Sequence, residues 1–343
     1  MAGIQTLSEG NRSEIDLLDG EYWWGGRVRD GHEGPFHAGS LLGGDLIDTG
    51  GNQAASFWVS THGRVLWSQN PFRFAFDGKG RLSAQMTAEV LAKRPDARVT
   101  LTDAGSTLTD AFAFARREVF RPAGKVPASR MFTRPQYNLW IELMYEPTQE
   151  KTLAYAKNLI EHNFPTGVLM IDDGWSNDYG PWHFDREAFP DPKGRVDELH
   201  GLGFEVMLWV CPFVPPEGKS YLDLRADGLL LPDRAGRPAI REWWNGHSAV
   251  LDLTNPRSVA WFIEGLQSLQ ERYGIDGFKI DAGNSTSYLI DDRTHLADAL
   301  PTDQTTLFSE LGLRFEYHEV QAAFTTGGAG LVQRLRDRHH DWS

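Results

Sequence analysis

Gly277-Phe-Lys279-Ile-Asp281-Ala-Gly283 is the stretch on which the fold turns. Phe278 and Ile280 alternate with Lys279 and Asp281, so a strand here places the lysine and the carboxylate on one side. Two upstream stretches share this plan. Leu169-Met-Ile-Asp172-Asp173-Gly-Trp175 is an apolar run that ends in two carboxylates and an indole, and Leu208-Trp209-Val-Cys-Pro212 carries a tryptophan near its end. Segments with helical spacing separate these runs, at 148–162, 194–202 and 256–273. Continuous apolar strands alternating with helices predict a parallel α/β fold. Carboxylates at the C-terminal ends of such strands are where (β/α)8 barrels keep their chemistry. A single aspartate after a strand is commonly a turn or cap residue. Three strands that end in polar residues, with Lys279 interleaved, read instead as a site.

Working outward, 136–141, 167–171, 204–210, 277–280 and 331–335 read as strands of this sheet, and 313–324 reads as a helix. The N-terminal third differs. Short runs at 56–60, 64–68, 73–77, 84–91 and 98–102 are rich in Val, Phe, Trp and Thr and are separated by Gly, Asp and Asn, the pattern of a sandwich. Pro122-Ala-Gly-Lys-Val-Pro127 reads as a linker. The expected organisation is an N-terminal β-sandwich over 1–125 and a catalytic α/β domain, a (β/α)8 TIM-type barrel, over 126–343.

Composition narrows the function. A net charge of −13 without a basic patch argues against nucleic acid. The lone Cys211 permits no intramolecular disulfide and reads as a small buried residue. Residues 1–20 show no secretory apolar core, and no run reaches the ~20 apolar residues of a membrane span. The chain as written is therefore expected to be cytoplasmic, or to lack its targeting segment. The histidines lack zinc-type spacing and the glycine pairs lack a phosphate-loop pattern, so neither metal nor cofactor is expected. Twelve tryptophans and nineteen phenylalanines suit the flat faces of sugars, and suit a large core equally well.

From about Phe132 onward the chain resembles glycoside hydrolase family 31, in particular its α-galactosidase branch. The likeness rests on eight segments in order: Phe132-Thr-Arg-Pro135, Ile171-Asp-Asp-Gly-Trp175, Phe184-Asp-Arg-Glu-Ala-Phe-Pro190, Leu208-Trp-Val-Cys-Pro-Phe213, Trp243-Trp-Asn-Gly246, Leu251-Asp-Leu-Thr-Asn-Pro256, Gly277-Phe-Lys-Ile-Asp-Ala-Gly283 and Leu331-Val-Gln-Arg-Leu-Arg-Asp337. Glu21-Tyr-Trp-Trp-Gly-Gly26 also looks like a family segment, from the β-sandwich that precedes the barrel. The resemblance implies a retaining α-glycoside hydrolase that acts at chain ends, on an oligosaccharide or simple glycoside.

It also implies roles. Asp281 matches the nucleophile and Lys279 a lysine of the sugar subsite. Asp337, followed five residues later by Trp342, matches the general acid/base, with Asp341 as the rival. Arg334 matches an arginine that contacts sugar hydroxyls. Asp172 matches a carboxylate that reads outer hydroxyls, a task Asp173 shares, while Trp209 and Trp243 are expected as walls. In a retaining enzyme the two catalytic carboxyl groups lie about 5–5.5 Å apart.

Two departures stand out. Position 284 is Asn where the branch carries Glu, which bears on the neighbouring subsite. The chain also ends six residues after Asp337, with only five strands in the barrel region, so the barrel is expected to be incomplete at the C-terminus. A chain of that kind is expected to be poorly stable alone or to be completed by another chain. The competing readings are an α-glucosidase, α-xylosidase or sulfoquinovosidase of the same family, and a catalytically inactive carbohydrate-binding protein.

Overall fold

The structure is a computed structural model that describes residues 3–6 and 12–335. In the N-terminal part, alternating apolar residues build two sheets. Arg12–Asp16, Arg81–Gln85, Arg73–Asp77 and Leu41–Asp45 pair in that order as a four-stranded antiparallel sheet. Gly3–Thr6, Thr100–Asp103, Arg64–Trp67, Gln53–Ser60 and Trp23–Arg27 pair antiparallel in a second sheet. Period-two alternation shows in Arg73–Asp77, where Phe74 and Phe76 are buried between exposed ends. Ile15, Phe74, Phe76 and Leu82 from the first sheet share one core with Trp23, Trp58, Leu66 and Leu101 from the second. Trp58, fully buried, meets Phe36, Phe74 and Phe76 ring to ring.

The second sheet has a sixth strand from far along the chain. Ala323–Phe324 pairs in parallel with Gln53–Ser60, and Phe324 enters the N-terminal core. The two halves of the sequence are thus sewn together at the level of the sheet.

The later part is a parallel sheet of five strands in chain order: Gln136–Asn138, Val168–Ile171, Glu205–Val210, Gly277–Ile280 and Tyr317–Val320. Helices Gln149–Glu161, Pro192–Gly201 and Pro256–Tyr273 lie between successive strands. The last of these shows how local sequence sets the ends. Asn255 accepts from the Arg257 N–H at 3.0 Å, Pro256 occupies the first turn, and Gly274 closes the helix at φ 79°. Phe262, Ile263, Leu266 and Leu269 face the core. Between the third and fourth parallel strands a small antiparallel sheet is inserted, made of Phe213–Val214, Ile240–Trp243 and Gly246–Val250.

Three expectations are corrected. The run 84–91 is not one strand: Arg81–Gln85 is the strand, and Ala88–Lys93 is a helix capped by Thr87, which accepts from the Val90 N–H. The run 313–324 is not a helix. Its apolar residues alternate rather than follow a helical period, and it supplies strands Tyr317–Val320 and Ala323–Phe324, while the helix lies earlier at Pro301–Glu310. Residues 331–335 form no ladder strand. They run beside the fifth strand through one parallel bridge, Val320 with Gln333, and two backbone hydrogen bonds. Five strands do stand in the sheet, but the fifth is Tyr317–Val320 and not 331–335.

Candidate active site

Three buried ionic groups and one half-buried arginine meet at the C-terminal ends of the central strands. Asp172 follows Val168–Ile171, Lys279 lies in Gly277–Ile280, Asp281 follows it, and Arg334 comes from the segment beside the fifth strand. Lys279 Nζ donates to Asp172 Oδ2 at 2.6 Å and lies 3.7 Å from Asp281 Oδ2. Arg334 donates to Asp281 Oδ1 at 2.9 Å, and the Trp209 indole N–H donates to Asp281 Oδ2 at 2.6 Å. Lys279 and Asp281 are 4% and 6% exposed, so these charges are withdrawn from water and depend on each other.

The scaffold fixes each group. The Asp281 backbone N–H donates to the Val210 carbonyl, extending the ladder past the strand end. Ala282 then adopts φ 60°, a left-handed conformation that costs a non-glycine residue roughly 1 kcal/mol or more. Its N–H donates to Gln321 Oε1 at 2.6 Å. Gly283 follows at φ 66°, where a Cβ would sit 2.4 Å from the Phe308 ring. Trp175 donates its indole N–H to the Trp209 carbonyl, holding that strand end. The N-terminal sheet takes part as well: the Gln53 side chain donates to the carbonyls of Gln321 and Arg334.

The electrostatics follow from this geometry. Burial pushes the Asp281 carboxyl up, but Lys279, Arg334 and the Trp209 N–H outweigh it and hold the group below the usual carboxylate range. Burial pulls Lys279 down, and Asp281 and Asp172 more than restore it, so it stays a cation. Asp173, next in sequence to Asp172, has other surroundings. It accepts from Tyr179, from Asn245 at 2.7 Å and from the Gly174 N–H, with no cation among these partners. Burial therefore dominates and holds its carboxyl above the ordinary value. Burial likewise raises the Cys211 thiol well above its ordinary value, which leaves it a buried, unreactive neighbour.

These groups line a cavity of about 440 Å³, within the usual range for a small-molecule site. Asn138, Trp140, Tyr145, Trp209, Trp244 and Gln321 complete much of its wall. A larger cleft of about 730 Å³, around Tyr221, Arg225 and Arg241, holds no comparable buried set. Its Asp233 is paired with Arg237 and its Arg241 with Asp292.

Asp172, Asp173, Trp209, Lys279, Asp281 and Arg334 are thus brought to one cavity. Trp243 is not part of its lining: it stacks on Phe213 at 4.3 Å between ring centroids and donates to Ser248, while its neighbour Trp244 faces the cavity. Asn284 also lies off the lining, accepting from the hydroxyls of Thr286 and Ser287 in a local turn. Asp337, Asp341 and Trp342 fall outside the described residues. Among the described residues no group of three or more His, Cys, Asp or Glu is placed to hold a metal, and no helix is long and apolar enough to cross a membrane. Glu319, Gln321, Tyr179 and Asn245 were not anticipated. Glu319 and Gln321 sat in the segment misread as a helix, and strand alternation over Tyr317–Val320 would have turned Glu319 toward the Lys279 side.

A parallel α/β sheet with carboxylates and cations gathered at its C-terminal strand ends is the arrangement found in (β/α)-barrel scaffolds. The glycosyl hydrolases family 31 TIM-barrel domain matches residues 129–327. The myogenesis-regulating glycosidase of Mus musculus is 32% identical over 69% of the chain and 34% of its own length. Alpha-xylosidase XylQ of Lactiplantibacillus pentosus is 29% identical over 43% of the chain and 20% of its own length. In three dimensions, a Flavobacterium johnsoniae GH31 dextranase superposes with a TM-score of 0.78 at 16% identity, over 96% of the chain and 44% of that enzyme, which is a likeness of fold. The chain belongs to glycosyl hydrolase family 31. It spans about a third or less of the length of these two relatives.

Proposed function

We propose that this chain carries the catalytic core of a retaining exo-acting α-glycoside hydrolase, with Asp281 as nucleophile, Asp337 as general acid/base and an α-galactoside as preferred substrate. The observation that carries the reading is the Asp281 carboxylate, buried yet kept ionised by Lys279, Arg334 and Trp209 at the mouth of a strand. A nucleophile needs that state: it attacks the anomeric carbon as an anion and becomes a glycosyl ester. Asp337 protonates the departing oxygen and then activates the water that cleaves the ester.

Asp172, oriented by Lys279, is free to accept from substrate hydroxyls through its remaining lone pairs. A rigid charged acceptor rejects a misplaced hydroxyl strongly, which supports selection between axial and equatorial epimers. The aromatic rim of Trp140, Tyr145 and Trp244 offers flat faces to a sugar. The N-terminal sheets, sharing one core, serve in this reading as a β-sandwich that braces the barrel and the Arg334 segment. A second reading, an α-xylosidase, is favoured by the 29% identity to XylQ.

Purified chain incubated with aryl α-galactoside, α-glucoside and α-xyloside, beside Asp281→Asn, tests both. Release from the galactoside alone, lost in the variant, is expected. Release from the xyloside alone selects the second reading. No release from folded chain on any of the three counts against hydrolysis.

A further inference from the structure

His318 lies on the fifth parallel strand, in register with Phe278, so its side chain leaves the sheet on the side opposite Lys279. It is 2% exposed, yet both ring nitrogens have partners. Nε2 accepts from the Val332 N–H at 3.2 Å, and Nδ1 lies 2.9 Å from the Phe315 carbonyl. The backbone N–H can only donate and the carbonyl can only accept. The two partners therefore hold the ring as the neutral tautomer with its proton on Nδ1. Gly312 makes the seat: a Cβ there would lie 2.9 Å from the ring's Cδ2. The Val332 contact begins a short run that leads to the cavity. The Val332 carbonyl accepts from the Val320 N–H at 2.9 Å, and the Arg334 N–H donates to the Val320 carbonyl at 3.0 Å. Gln53 donates to the Arg334 carbonyl, and the Arg334 side chain donates to Asp281.

We infer that His318 is a positioning residue: its neutral ring docks the segment 332–334 beside the fifth strand, and its protonation undocks that segment and draws Arg334 away from Asp281. The consequence for activity rests on Asp281 being the nucleophile. Protonation places an N–H on Nε2, donor against the Val332 donor, and the hydrogen bond is lost. It also places a cation between Phe278, Phe315 and Gly312, where no charged side chain of the described residues acts on it. The Phe315 carbonyl favours the cation, burial disfavours it more, and the docked ring stays neutral below the ordinary histidine range. Once the segment leaves, the ring is open to water and takes up its proton at the ordinary value. Docking is therefore complete above about pH 6.5 and weakens as pH falls toward the docked value.

Amide hydrogen exchange of the full chain, read by NMR at Val332 and Arg334, tests this without turnover. Protection relative to the intrinsic exchange rates is expected to fall below about pH 6.5, by up to about tenfold per pH unit. His318→Gln keeps a neutral acceptor on a side chain of similar reach and does not titrate, so its protection should stay level. An equal fall in both chains would overturn the inference. Level protection in the wild type from about pH 7.5 to 4.5 would overturn it as well, and that measurement needs no variant to fold. Where the chain releases aryl glycoside, the acid limb of kcat/KM should move to lower pH in His318→Gln, and an unmoved limb would overturn the link to Asp281. The same acid opening in a chain that hydrolyses nothing would uphold the docking role of His318 and count only against the nucleophile assignment.

Discussion

The floor and the rim of the cavity contain neighbouring aspartates with opposite electrostatics. On the floor, Asp281 faces Lys279 and Arg334 and its burial is overcome by charge, while Asp172 pairs with Lys279. On the rim, Asp173 is held by Tyr179, Asn245 and a backbone N–H, all neutral, and burial prevails. The Asn245 side chain also accepts from the Tyr145 hydroxyl at 2.8 Å, so the rim ties the tip of the inserted hairpin to two separate loops. The lesson is that a carboxylate earns no role from its position after a strand alone. Its partners decide whether it is a reactive anion or a structural acceptor.

Removing floor groups should do the most damage. Asp281→Asn is expected to lower kcat on the preferred aryl glycoside by on the order of 10⁴-fold, a loss typical of a deleted nucleophile. The fold should survive, as checked by circular dichroism. Lys279→Met leaves two carboxylates in one buried site with a single cation. A loss of about 3–5 kcal/mol in urea unfolding is expected, as for a broken buried ion pair. A smaller loss, below that of an exposed pair, would show the floor to be open to water.

The rim should respond more gently. Asn245→Ala removes one donor from Asp173 and one acceptor from Tyr145, and a loss of about 1–3 kcal/mol is expected. KM should rise more than kcat falls, because the hairpin tip bearing Trp244 loosens while Asp281 keeps its partners. Equal falls in kcat and kcat/KM would place Asn245 on the reaction itself and erase the distinction.

The smallest effects lie in pH dependence, with opposite signs for the two regions. Asp281 has a depressed folded-state value, so its contribution to stability is present above the ordinary aspartate range and lost as pH falls through the folded value. Asp173 has a raised value, so its contribution is present below the ordinary range and lost as pH rises through the folded value. Unfolding midpoints of wild type, Asp281→Asn and Asp173→Asn across acidic pH should show these two slopes, each at most about 1.4 kcal/mol per pH unit. Slopes of the same sign would break the comparison.

The floor was legible in the sequence because strand alternation is local. Lys279 and Asp281, two residues apart, must share a side, and the apolar runs around Asp172 and Trp209 mark neighbouring strands. Beyond Asp173, the rim was not legible. Tyr179, Tyr145 and Asn245 meet only through loops and an inserted hairpin, whose folding no short periodicity announces. The Trp243-Trp-Asn-Gly246 segment was noticed, but a tight turn decides which indole faces the cavity, and it is Trp244. The fifth strand was hidden by short alternation next to helix-like spacing, and Glu319 was hidden with it. In the N-terminal sheets, Phe74 and Phe76 announced their strand plainly, whereas Thr87 as a helix cap was lost within an apolar run.

The central assignment, Asp281 as a nucleophile, is tested most directly by trapping. The folded chain is incubated with a fluorinated α-galactosyl fluoride that forms the glycosyl ester and hydrolyses slowly, then digested with trypsin and weighed. One added sugar on the peptide 280–293, localised to Asp281 by fragmentation, is the predicted result. A sugar on any other residue would contradict the assignment, as would an unmodified peptide from a chain that turns over the reagent.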